Sequence, residues 1–348
     1  MNLSDMTTLR VGGPAPRLVD AQTEADLIAA VRECDARGEP TLVLGGGSNL
    51  VVSDDGFDGT VVRVRLRGVS VDASGCEDGD LAACGGLLVT LAAGEDWDAF
   101  VARAVASEWV GVEALSGIPG AVGATPMQNV SAYGQEVAQT IWSVRTYDRD
   151  AGEIRTFANA ECAFDYRTSA FKGSGRWVVL SVTYQLLQGS LGAPVRYAEL
   201  AQSLGVALGE RAKLADVRDA VLELRRGKGM VLDAADHDTW SAGSFFTNPI
   251  LDAASAAGLP AAAPRWPMPD GRVKTSAAWL IERAGFGRGY AGPGGRVSLS
   301  SKHTLALTNR GGASTADLLA LAREVRSGVR DAFGVDLVNE PVLVGCSL

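Results

Sequence analysis

One long segment of the chain combines residue types that bind an anionic group through the backbone: residues 114–134, ALSGIPGAVGATPMQNVSAYG. Its glycines let backbone N–H groups approach a ligand closely, and Pro119 and Pro126 stiffen the path of the chain. The segment has neither the 3.6-residue repeat of a helix nor the two-residue repeat of a strand. A second glycine-rich segment, LGGGSNL, occupies residues 44–50. Because a long aperiodic loop in a compact domain is usually functional, the pair predicts a dinucleotide held between the two loops.

The alternative is that both glycine-rich segments are ordinary turns. Neither fits the G-x-G-x-x-G pattern or the P-loop pattern G-x-x-x-x-G-K-[ST], so no standard nucleotide signature applies. The argument for a cofactor site therefore rests on the two loops together.

Ser244 lies in a second segment with chemical potential, SAGSFFTNP at residues 241–249. A serine hydroxyl can act as a nucleophile, as a proton donor or as a plain hydrogen-bonding group. The nucleophile elbow needs the pattern G-x-S-x-G, whereas here Gly243 directly precedes the serine and Phe245 follows it. His237 and His303 are the histidines of the chain, so a Ser–His pair is poorly supported. The alternative is a serine whose hydrogen bonds are satisfied within a turn.

Glu340 lies in VNEPVLVG, in the middle of a predicted strand over residues 336–345. In a regular strand Val338, Val342 and Val344 share a face with Glu340. Apolar neighbours raise the pKa of a carboxyl group unless it is paired. The alternative is an edge or bulge at which the carboxylate points to solvent, and Pro341 favours it.

Two basic residues can hold anionic groups of a ligand. Arg167 lies in FDYRTSAFK, where its guanidinium can bind a carboxylate in a bidentate pair or stack on Phe164 or Tyr166. Lys228 follows two arginines and can belong to a diphosphate-binding group. The alternative for Lys228 is a basic helix C-terminus that complements the helix dipole.

Length, composition and charge exclude several classes of protein. The 348 residues allow two or three domains, and 47% hydrophobic with 21% charged residues indicates a folded chain. A net charge of −9 argues against general nucleic-acid binding but leaves room for an anionic small ligand. We expect neither a secretory signal nor a membrane span, since no apolar run approaches the roughly 20 residues that a span needs.

The cysteine and histidine content bears on location and metal binding. Five cysteines without a C-x-x-C pair indicate reduced thiols in a cytoplasmic protein. With two histidines in the chain, we expect no His-rich metal site and no bound metal.

The elements that must position these residues follow from periodicity and capping signals. Thr23 with Asp26 marks the start of a helix over residues 23–37. Ser314 with Asp317 marks the start of the clearest helix, over residues 315–333. The other predicted helices are residues 97–107, 213–226 and 275–284, the last beginning near Thr275 or Ser276. The other predicted strands are residues 41–44, 60–66, 69–72, 81–84, 87–90, 141–148 and 177–187.

This order of elements predicts an α+β protein, because the alternation of strands and helices is too irregular for a doubly wound sheet. Residues 260–271, PAAAPRWPMPDG, carry four prolines and are expected to form a loop. We expect a cofactor-binding region up to about residue 187 and a second region over about residues 228–334, with the final strand returning to their interface.

Taken together, these segments resemble one family, the UDP-N-acetylenolpyruvoylglucosamine reductases, which are flavoenzymes that complete UDP-N-acetylmuramate in bacterial peptidoglycan synthesis. The similarity runs nearly end to end. Besides the two glycine-rich loops and the final strand, it includes TTLRVGG at 7–13, GEDW at 94–97, YRTSAFK at 166–172, GSFFTNP at 243–249 and VKTSAAWLIE at 273–282. So many motifs in one order make chance similarity remote. The length and the Tyr197 segment resemble the longer of two subtypes.

The resemblance implies a flavin-binding fold of the vanillyl-alcohol-oxidase and p-cresol-methylhydroxylase type, built from two subdomains (residues 1–72 and 73–227) that hold FAD non-covalently. It also implies an α+β substrate-binding domain (residues 228–334) and a C-terminal strand (residues 335–348) that returns to the active site. The FAD-contacting residues it implies are Gly45, Gly46, Gly47, Ser48, Asn49, Leu50, Ser116, Gly117, Ile118, Pro119, Gly120, Gly123, Ala124, Thr125, Gln128 and Asn129.

Carried over by motif, the catalytic positions fall on Arg167, Ser244 and Glu340. The implied reaction takes a hydride from NADPH and delivers it through flavin N5 to C3 of the enolpyruvyl group, with Ser244 protonating C2. Arg167 and Glu340 would polarise the carboxylate of that group, which requires Glu340 to be protonated or to share a proton.

The substrate of that reaction is UDP-N-acetylglucosamine enolpyruvate, and the resemblance implies a cytoplasmic enzyme, expected to be a monomer, without nucleic-acid or membrane partners. Substrate contacts are implied at Tyr197, Lys228, Asn248, Trp266, Lys274 and His303. This chain departs from the family in three places: Trp266 stands where a tyrosine is often found, Val342 replaces an arginine, and GMVLDAADHDTW lengthens the connection from Lys228 to Ser244.

Two rival interpretations remain at this point. One is an FAD-dependent sugar or hydroxy-acid oxidase on the same fold, although such enzymes often attach the flavin through a histidine or cysteine, and neither glycine-rich loop contains one. The other is a non-catalytic nucleotide-binding protein, against which the intact Arg167, Ser244 and Glu340 argue.

Overall fold

The computed structural model describes residues 1–73 and 86–348. Its α-helices are α1 Glu24–Ala36, α2 Trp97–Ala106, α3 Ala198–Leu204, α4 Leu214–Gly227, α5 Ala253–Ala257, α6 Ala277–Arg283 and α7 Thr315–Phe333. Its strands up to β9 are β1 Arg17–Ala21, β2 Thr41–Leu44, β3 Leu50–Val52, β4 Thr60–Val64, β5 Val69–Asp72, β6 Leu87–Ala92, β7 Trp109–Val110, β8 Ser131–Ala132 and β9 Gln135–Glu136. Those that follow are β10 Ile141–Asp148, β11 Glu153–Ala158, β12 Trp177–Gln188, β13 Ile250–Leu251, β14 Arg265–Pro267, β15 Val273–Thr275, β16 Val297–Leu299, β17 Leu307–Asn309 and β18 Val342–Val344. The strand predicted at residues 81–84 lies outside the described residues.

The chain forms two compact units, each described here by itself. The first unit consists of Met1–Ala15, Gly47–Phe57 and Gly227–Leu348. The second unit consists of Pro16–Gly46 and Asp58–Arg226. Each unit mixes helices with strands, as the α+β prediction requires.

The second unit is built on an antiparallel sheet with the strand order β11-β10-β12-β6-β5, in which β7 also pairs with the end of β12. Val144 pairs with Val182, and Val182 pairs with Leu91 on its other side. All three side chains are buried in one hydrophobic core, so the register aligns the apolar face of neighbouring strands. A parallel sheet, β1-β4-β2, lies in the same unit, and α1 packs against it.

The hydrophobic core of the first unit is built around the long helix α7. Its stripe of Leu318, Leu321, Ala322, Val325 and Val329 is buried, as the helical period predicts. Helix α6 packs against α7, and β16 and β17 also contact α7. The unit contains three small sheets: β13-β15-β14, β16-β17 and the parallel pair β18-β3. The last of these joins the C-terminal segment to the chain that follows the first glycine-rich loop.

Two predicted elements were wrong in their extent. The strand predicted over residues 336–345 is regular at Val342–Val344 alone, because Pro341 has no N–H to donate to a ladder. The loop predicted over residues 260–271 contains the edge strand Arg265–Pro267, whose Pro267 occupies the strand end, where a missing N–H is tolerated.

Most helix and strand boundaries agree with the sequence-based prediction to within a residue or two. The capping boxes predicted at Thr23 and Ser314 are both present. Ser276 caps α6, because Thr275 still belongs to β15. Cys34, Cys162 and Cys346 are free thiols, and burial raises the pKa of Cys162 to about 12, so that thiol stays protonated at neutral pH. Within the described ranges, no helix combines the length and apolarity needed to cross a membrane.

The capping box of α7 gives a first testable prediction. The Ser314 hydroxyl accepts a hydrogen bond from the Asp317 N–H, and the Asp317 carboxylate accepts one from the Ser314 N–H. We expect Ser314→Ala to lower the free energy of unfolding by about 1 kcal/mol, measured by urea denaturation. Ser327→Ala, at an exposed position within the same helix, is the control and should change it by less than about 0.5 kcal/mol. Equal effects of the two substitutions would contradict the assignment of the cap.

Candidate active site

Ser244 and Glu340 are brought together in the first unit by the backbone of Phe245. The Phe245 N–H donates to the Leu305 carbonyl at 2.7 Å, and the Glu340 N–H donates to the Phe245 carbonyl at 2.8 Å. The Phe245 side chain is 1% exposed, so the backbone at this position is fixed by packing as well as by hydrogen bonds. Ser244 is thereby held next to the segment that carries Glu340.

Gly243 gives the backbone the turn that presents Ser244. Its φ of +73° lies in the left-handed region that favours glycine. Ser244 itself is half-buried, between the buried Ala242 and Phe245. The serine thus occupies a defined turn, in agreement with the absence of a nucleophile-elbow pattern in the sequence.

The surroundings of Glu340 differ from those of a regular strand. Val338 is 62% exposed and Val342 is 48% exposed, which favours the edge or bulge over a strand face lined by buried apolar side chains. The residue is half-buried, and its carbonyl accepts a hydrogen bond from the Asn49 side-chain amide at 3.4 Å. The Val342 N–H donates to the Asn49 carbonyl at 3.0 Å. Asn49 of the first glycine-rich loop therefore lies directly beside the Glu340 segment.

Thr8 of the TTLRVGG motif ties the same loop to the chain before Ser244. Its N–H donates to the Gly47 carbonyl at 3.1 Å, and its hydroxyl donates to the Ser241 carbonyl at 2.6 Å. A β-carbon on Gly47 would lie 1.9 Å from the Met6 carbonyl oxygen, and the φ of Gly47 is +63°. No other residue fits at Gly47, so the loop and the Ser244 segment share one rigid support.

In the second unit, the two glycine-rich loops touch through their backbones. A β-carbon on Gly46 would lie 2.6 Å from the Gly120 α-carbon, and one on Gly123 would lie 2.6 Å from the Ala93 β-carbon. Both distances are shorter than real β-carbon contacts, so side chains are excluded there. Such a glycine-lined cradle exposes backbone rather than side chains, which suits the diphosphate of a dinucleotide. The residues present therefore fit the FAD that the resemblance implies.

Several polar side chains of the long loop bond within the protein. The Ser116 hydroxyl donates to the Glu113 carbonyl at 2.7 Å, and the Thr125 hydroxyl lies 2.7 Å from the Tyr184 hydroxyl. Asn129 donates to the Glu136 carboxylate at 2.8 Å. These three side chains are buried and shape the loop, while Ile118, Pro119, Gly120, Ala124 and Gln128 are at least partly accessible.

A carboxylate that the sequence reasoning missed anchors the long loop. Asp98 accepts a hydrogen bond from the Gly117 N–H at 2.6 Å and two from the Arg218 guanidinium, at 2.7 and 3.0 Å. Burial acts to raise the pKa of Asp98, but the hydrogen bonds from Arg218 and Gly117 and the positive charge of Arg218 act more strongly in the opposite direction. The pKa of Asp98 therefore lies below its ordinary value. Asp98 stays ionised at neutral pH and joins α4 to the loop.

Arg167 lies in the second unit in an unusual backbone conformation. Its φ is +54°, and Asn129, Tyr133 and Ala163 also have positive φ. Strained residues of this kind persist where the surrounding structure over-determines them, and they cluster at functional sites. The Arg167 guanidinium donates to the Ser131 hydroxyl at 2.6 Å and lies 5.7 Å from the Tyr166 ring centroid. The guanidinium is therefore oriented by a hydroxyl and an aromatic ring together.

The predicted substrate contacts divide between the units. Tyr197 belongs to the second unit, where its ring meets that of Tyr133 edge-on at 5.4 Å. Trp266 pairs directly with Lys274 across the sheet β13-β15-β14, so both side chains share a face. Trp266 is 46% exposed, and the tryptophan that replaces the family's tyrosine is therefore accessible to a ligand.

The remaining predicted substrate contacts also belong to the first unit. Asn248 accepts a hydrogen bond from the Ala277 N–H, at the start of α6. His303 lies in the turn whose Leu305 carbonyl binds Phe245, and its ring nitrogen accepts from the Leu305 N–H at 3.3 Å. Lys228 follows directly on the end of α4. Across residues 1–73 and 86–348, no group of three histidine, cysteine, aspartate or glutamate side chains is arranged to hold a metal ion.

Comparison with known proteins finds family matches for an N-terminal and a C-terminal part of the chain. Residues 15–158 match the model of an FAD-binding domain, and residues 235–344 match the model of the UDP-N-acetylenolpyruvoylglucosamine reductase C-terminal domain. UDP-N-acetylenolpyruvoylglucosamine reductase from Thermobifida fusca is 58% identical over 99% of this chain and 97% of its own length. The enzyme of that name from Cutibacterium acnes is 56% identical over 99% of this chain and 90% of its own length.

A solved structure shows the same fold. The crystal structure of UDP-N-acetylenolpyruvylglucosamine reductase from Thermus caldophilus superposes with a TM-score of 0.63 at 24% identity, covering 99% of this chain and 97% of the other. With the two domain models, this confirms the prediction of an α+β flavin-binding fold followed by a C-terminal substrate-binding domain.

The contact between the two glycine-rich loops gives a second prediction. We expect Gly46→Ala to push the loops apart, and overpacking of this kind costs about 1–3 kcal/mol, so FAD affinity should fall by about tenfold or more. Gly189→Ala is the control, because Gly189 lies outside both glycine-rich loops and its β-carbon would meet a Val110 methyl group at an ordinary 3.7 Å. Flavin fluorescence titration of the two variants measures the difference. Equal FAD affinities would contradict the cradle.

Proposed function

This chain belongs to the UDP-N-acetylenolpyruvoylglucosamine reductase family, and we propose that it reduces UDP-N-acetylglucosamine enolpyruvate to UDP-N-acetylmuramate with FAD as cofactor and NADPH as hydride donor. The observation that carries the proposal is the backbone arrangement at Phe245, which holds Ser244 beside Glu340. Asn49, from a loop proposed to bind the flavin, lies against the same segment. A proton donor, a carboxyl group and a cofactor loop are thus gathered in one unit.

The two glycine-rich loops would hold FAD, which would supply the hydride transfer from NADPH to C3 of the enolpyruvyl group. The protein must then deliver a proton to C2, where negative charge develops. Ser244 is the proposed donor of that proton. A serine is a weak acid, but a carbanion-like C2 is a strong enough base to take its proton.

Glu340 and Arg167 are proposed to stabilise the negative charge that spreads from C2 onto the substrate carboxylate. The guanidinium of Arg167 suits a bidentate carboxylate contact, and Ser131 and Tyr166 fix its orientation. Glu340 assists an anion when it is protonated or shares a proton. These roles come from the family motif at each position, and the half-burial of Glu340 supports access to a ligand.

The nucleotide-sugar is proposed to contact Tyr197, Lys228, Asn248, Trp266, Lys274 and His303. The cross-strand pair of the exposed Trp266 and the half-buried Lys274 supports this, since it offers an aromatic face beside an ammonium group. We further propose that the chain acts as a cytoplasmic monomer, and that residues 1–72 and 73–227 form the flavin-binding subdomains, with the substrate domain at 228–334 and the final strand at 335–348.

An anaerobic titration tests the proposed function. The purified protein should show the yellow spectrum of oxidised flavin, bleach on addition of NADPH, and regain its colour when UDP-N-acetylglucosamine enolpyruvate is added, with UDP-N-acetylmuramate as product. A flavin that bleaches but does not recover would contradict the proposed substrate. Admission of oxygen in the presence of a simple sugar then tests the oxidase alternative, and a protein that takes up no FAD would favour the non-catalytic one.

The role of Ser244 gives a third prediction. We expect Ser244→Ala to leave flavin reduction by NADPH within about twofold of wild type and to slow reoxidation by the enolpyruvyl substrate at least about 100-fold, the usual scale for loss of a general acid. Stopped-flow absorbance measures each half-reaction separately. The Ser327→Ala variant serves as control. Equal loss in both half-reactions would contradict proton donation by Ser244.

A further inference from the structure

The lengthened connection between Lys228 and Ser244 carries a buried carboxylate, Asp238, that is 4% exposed. One of its oxygens accepts hydrogen bonds from the Ser301 N–H at 2.9 Å and from the Arg310 guanidinium at 2.9 Å. The other oxygen accepts from the Ser301 hydroxyl at 2.5 Å. Asp238 therefore fastens the connection to the turn over residues 300–305, which follows β16.

The connection itself is stiffened on both sides of Asp238. Asp236 accepts from the Asp238 N–H at 3.0 Å and forms an ion pair with Lys302 at 2.5 Å. The Thr239 hydroxyl donates to the Asp233 carbonyl at 2.7 Å, and the Trp240 carbonyl accepts from the Asn309 N–H at 3.0 Å. These contacts attach the connection both to the 300–305 turn and to the end of β17.

The turn passes this constraint to the catalytic serine. The Ser300 hydroxyl accepts from the N–H groups of Lys302 and His303, at 3.0 and 3.2 Å, and the Ser300 N–H donates to the Ala306 carbonyl at 2.8 Å. The carbonyl of the preceding residue, Leu305, accepts a hydrogen bond from the Phe245 N–H. An unbroken path of hydrogen bonds and peptide links therefore runs from the Asp238 carboxylate to the residue adjoining Ser244.

We propose that Asp238 is a positioning residue for proton transfer: by holding the 300–305 turn through Ser301, it sets the place of Phe245 and hence of the Ser244 hydroxyl. This inference rests on the proposed function and adds a residue to its machinery. Asp238 acts through Ser244, and its effect is confined to the reoxidation half-reaction. It also gives the lengthened connection a purpose, since that segment supplies the anchor.

The contacts of Asp238 require an ionised carboxylate rather than an amide at this position. Burial acts to raise the pKa of Asp238, but the hydrogen bonds from Ser301 and the charge of Arg310 outweigh it, so the pKa lies below its ordinary value. All three partners donate, and an ionised carboxylate is an acceptor only. In Asp238→Asn, the amide NH2 would face either the Ser301 N–H and Arg310, which only donate, or the Ser301 hydroxyl, which would have to accept instead of donate. The negative charge beside Arg310 is also lost, so the attachment to the 300–305 turn weakens while the side-chain volume is kept.

The test compares Asp238→Asn with Asp252→Asn in the FAD-loaded protein. Asp252 accepts the same pair of hydrogen bonds, from the N–H and hydroxyl of Ser255, but at the exposed N-cap of α5. A misplacement of about 1 Å can cost about 100-fold in rate, so we expect Asp238→Asn to slow flavin reoxidation by the enolpyruvyl substrate by 10- to 100-fold. Flavin reduction by NADPH should stay within about twofold of wild type. Asp252→Asn should match wild type in both half-reactions.

A double-mutant cycle separates positioning from general damage. If Asp238 acts through Ser244, adding Asp238→Asn to Ser244→Ala should cause little further loss, because the serine has already gone. Hydrogen–deuterium exchange of the protein without substrate gives an independent readout: peptides covering residues 241–247 and 300–306 should exchange faster in Asp238→Asn, while those of α7 stay unchanged.

Several outcomes decide the matter. Wild-type reoxidation rates in Asp238→Asn, or a full further loss on the Ser244→Ala background, would overturn the positioning role while leaving the proposed function intact. Failure of the wild-type protein to reoxidise with the enolpyruvyl substrate would overturn both. If Asp238→Asn does not fold, Ser301→Ala removes one hydroxyl contact from an exposed residue and should slow the same half-reaction several-fold. Unchanged rates in Ser301→Ala would then count against the inference.

Discussion

The two backbone hydrogen bonds of Phe245 are the constraint on which the candidate site of the first unit depends. Through its N–H this residue is fixed to the turn that carries His303, and through its carbonyl it is fixed to Glu340. Its side chain is locked in the hydrophobic core, so Ser244 is oriented by neighbours that cannot move independently. Groups that must act within tenths of an ångström are best supported in this way, by rigid backbone rather than by mobile side chains.

A different constraint governs the second unit, where close approach of backbone to backbone sets the shape. There is no room for a side chain where Gly46 approaches Gly120 or where Gly123 approaches Ala93. The Asp98 carboxylate accepts a hydrogen bond from the Gly117 N–H and so fixes the long loop. The strained backbone at Arg167 is fixed by the neighbouring 127–136 segment, through the Asn129 amide on the Asp165 carbonyl and the Ser169 hydroxyl on the Met127 carbonyl. In this unit, conformational strain and steric exclusion therefore fix the backbone of the candidate site, whereas in the first unit the hydrogen bonds of Phe245 fix it.

Much of this could be predicted from sequence, because the signals are local. Capping boxes at Thr23 and Ser314 and the apolar stripe of α7 are patterns within one helix, and the family motifs identify the flavin-binding fold. For Glu340 the sequence left two alternatives open, because the strand period predicts apolar neighbours whereas Pro341 favours an edge or bulge. The structure was needed to choose between them, and it shows a regular strand at Val342–Val344. Asp98 and Asp238 were missed for another reason. Their partners, Arg218 and Ser301, are far away in sequence, and no local pattern distinguishes a buried aspartate from a solvated one.

Our central proposal is that Ser244 donates a proton to C2 of the substrate while Glu340 and Arg167 bind its carboxylate. A crystal structure of the protein with FAD and UDP-N-acetylmuramate tests this most directly. The Ser244 hydroxyl is expected within about 3.2 Å of the lactyl C2, with the lactyl carboxylate bound by Arg167 and Glu340. A lactyl group bound away from Ser244, or a different proton donor facing C2, would contradict the account.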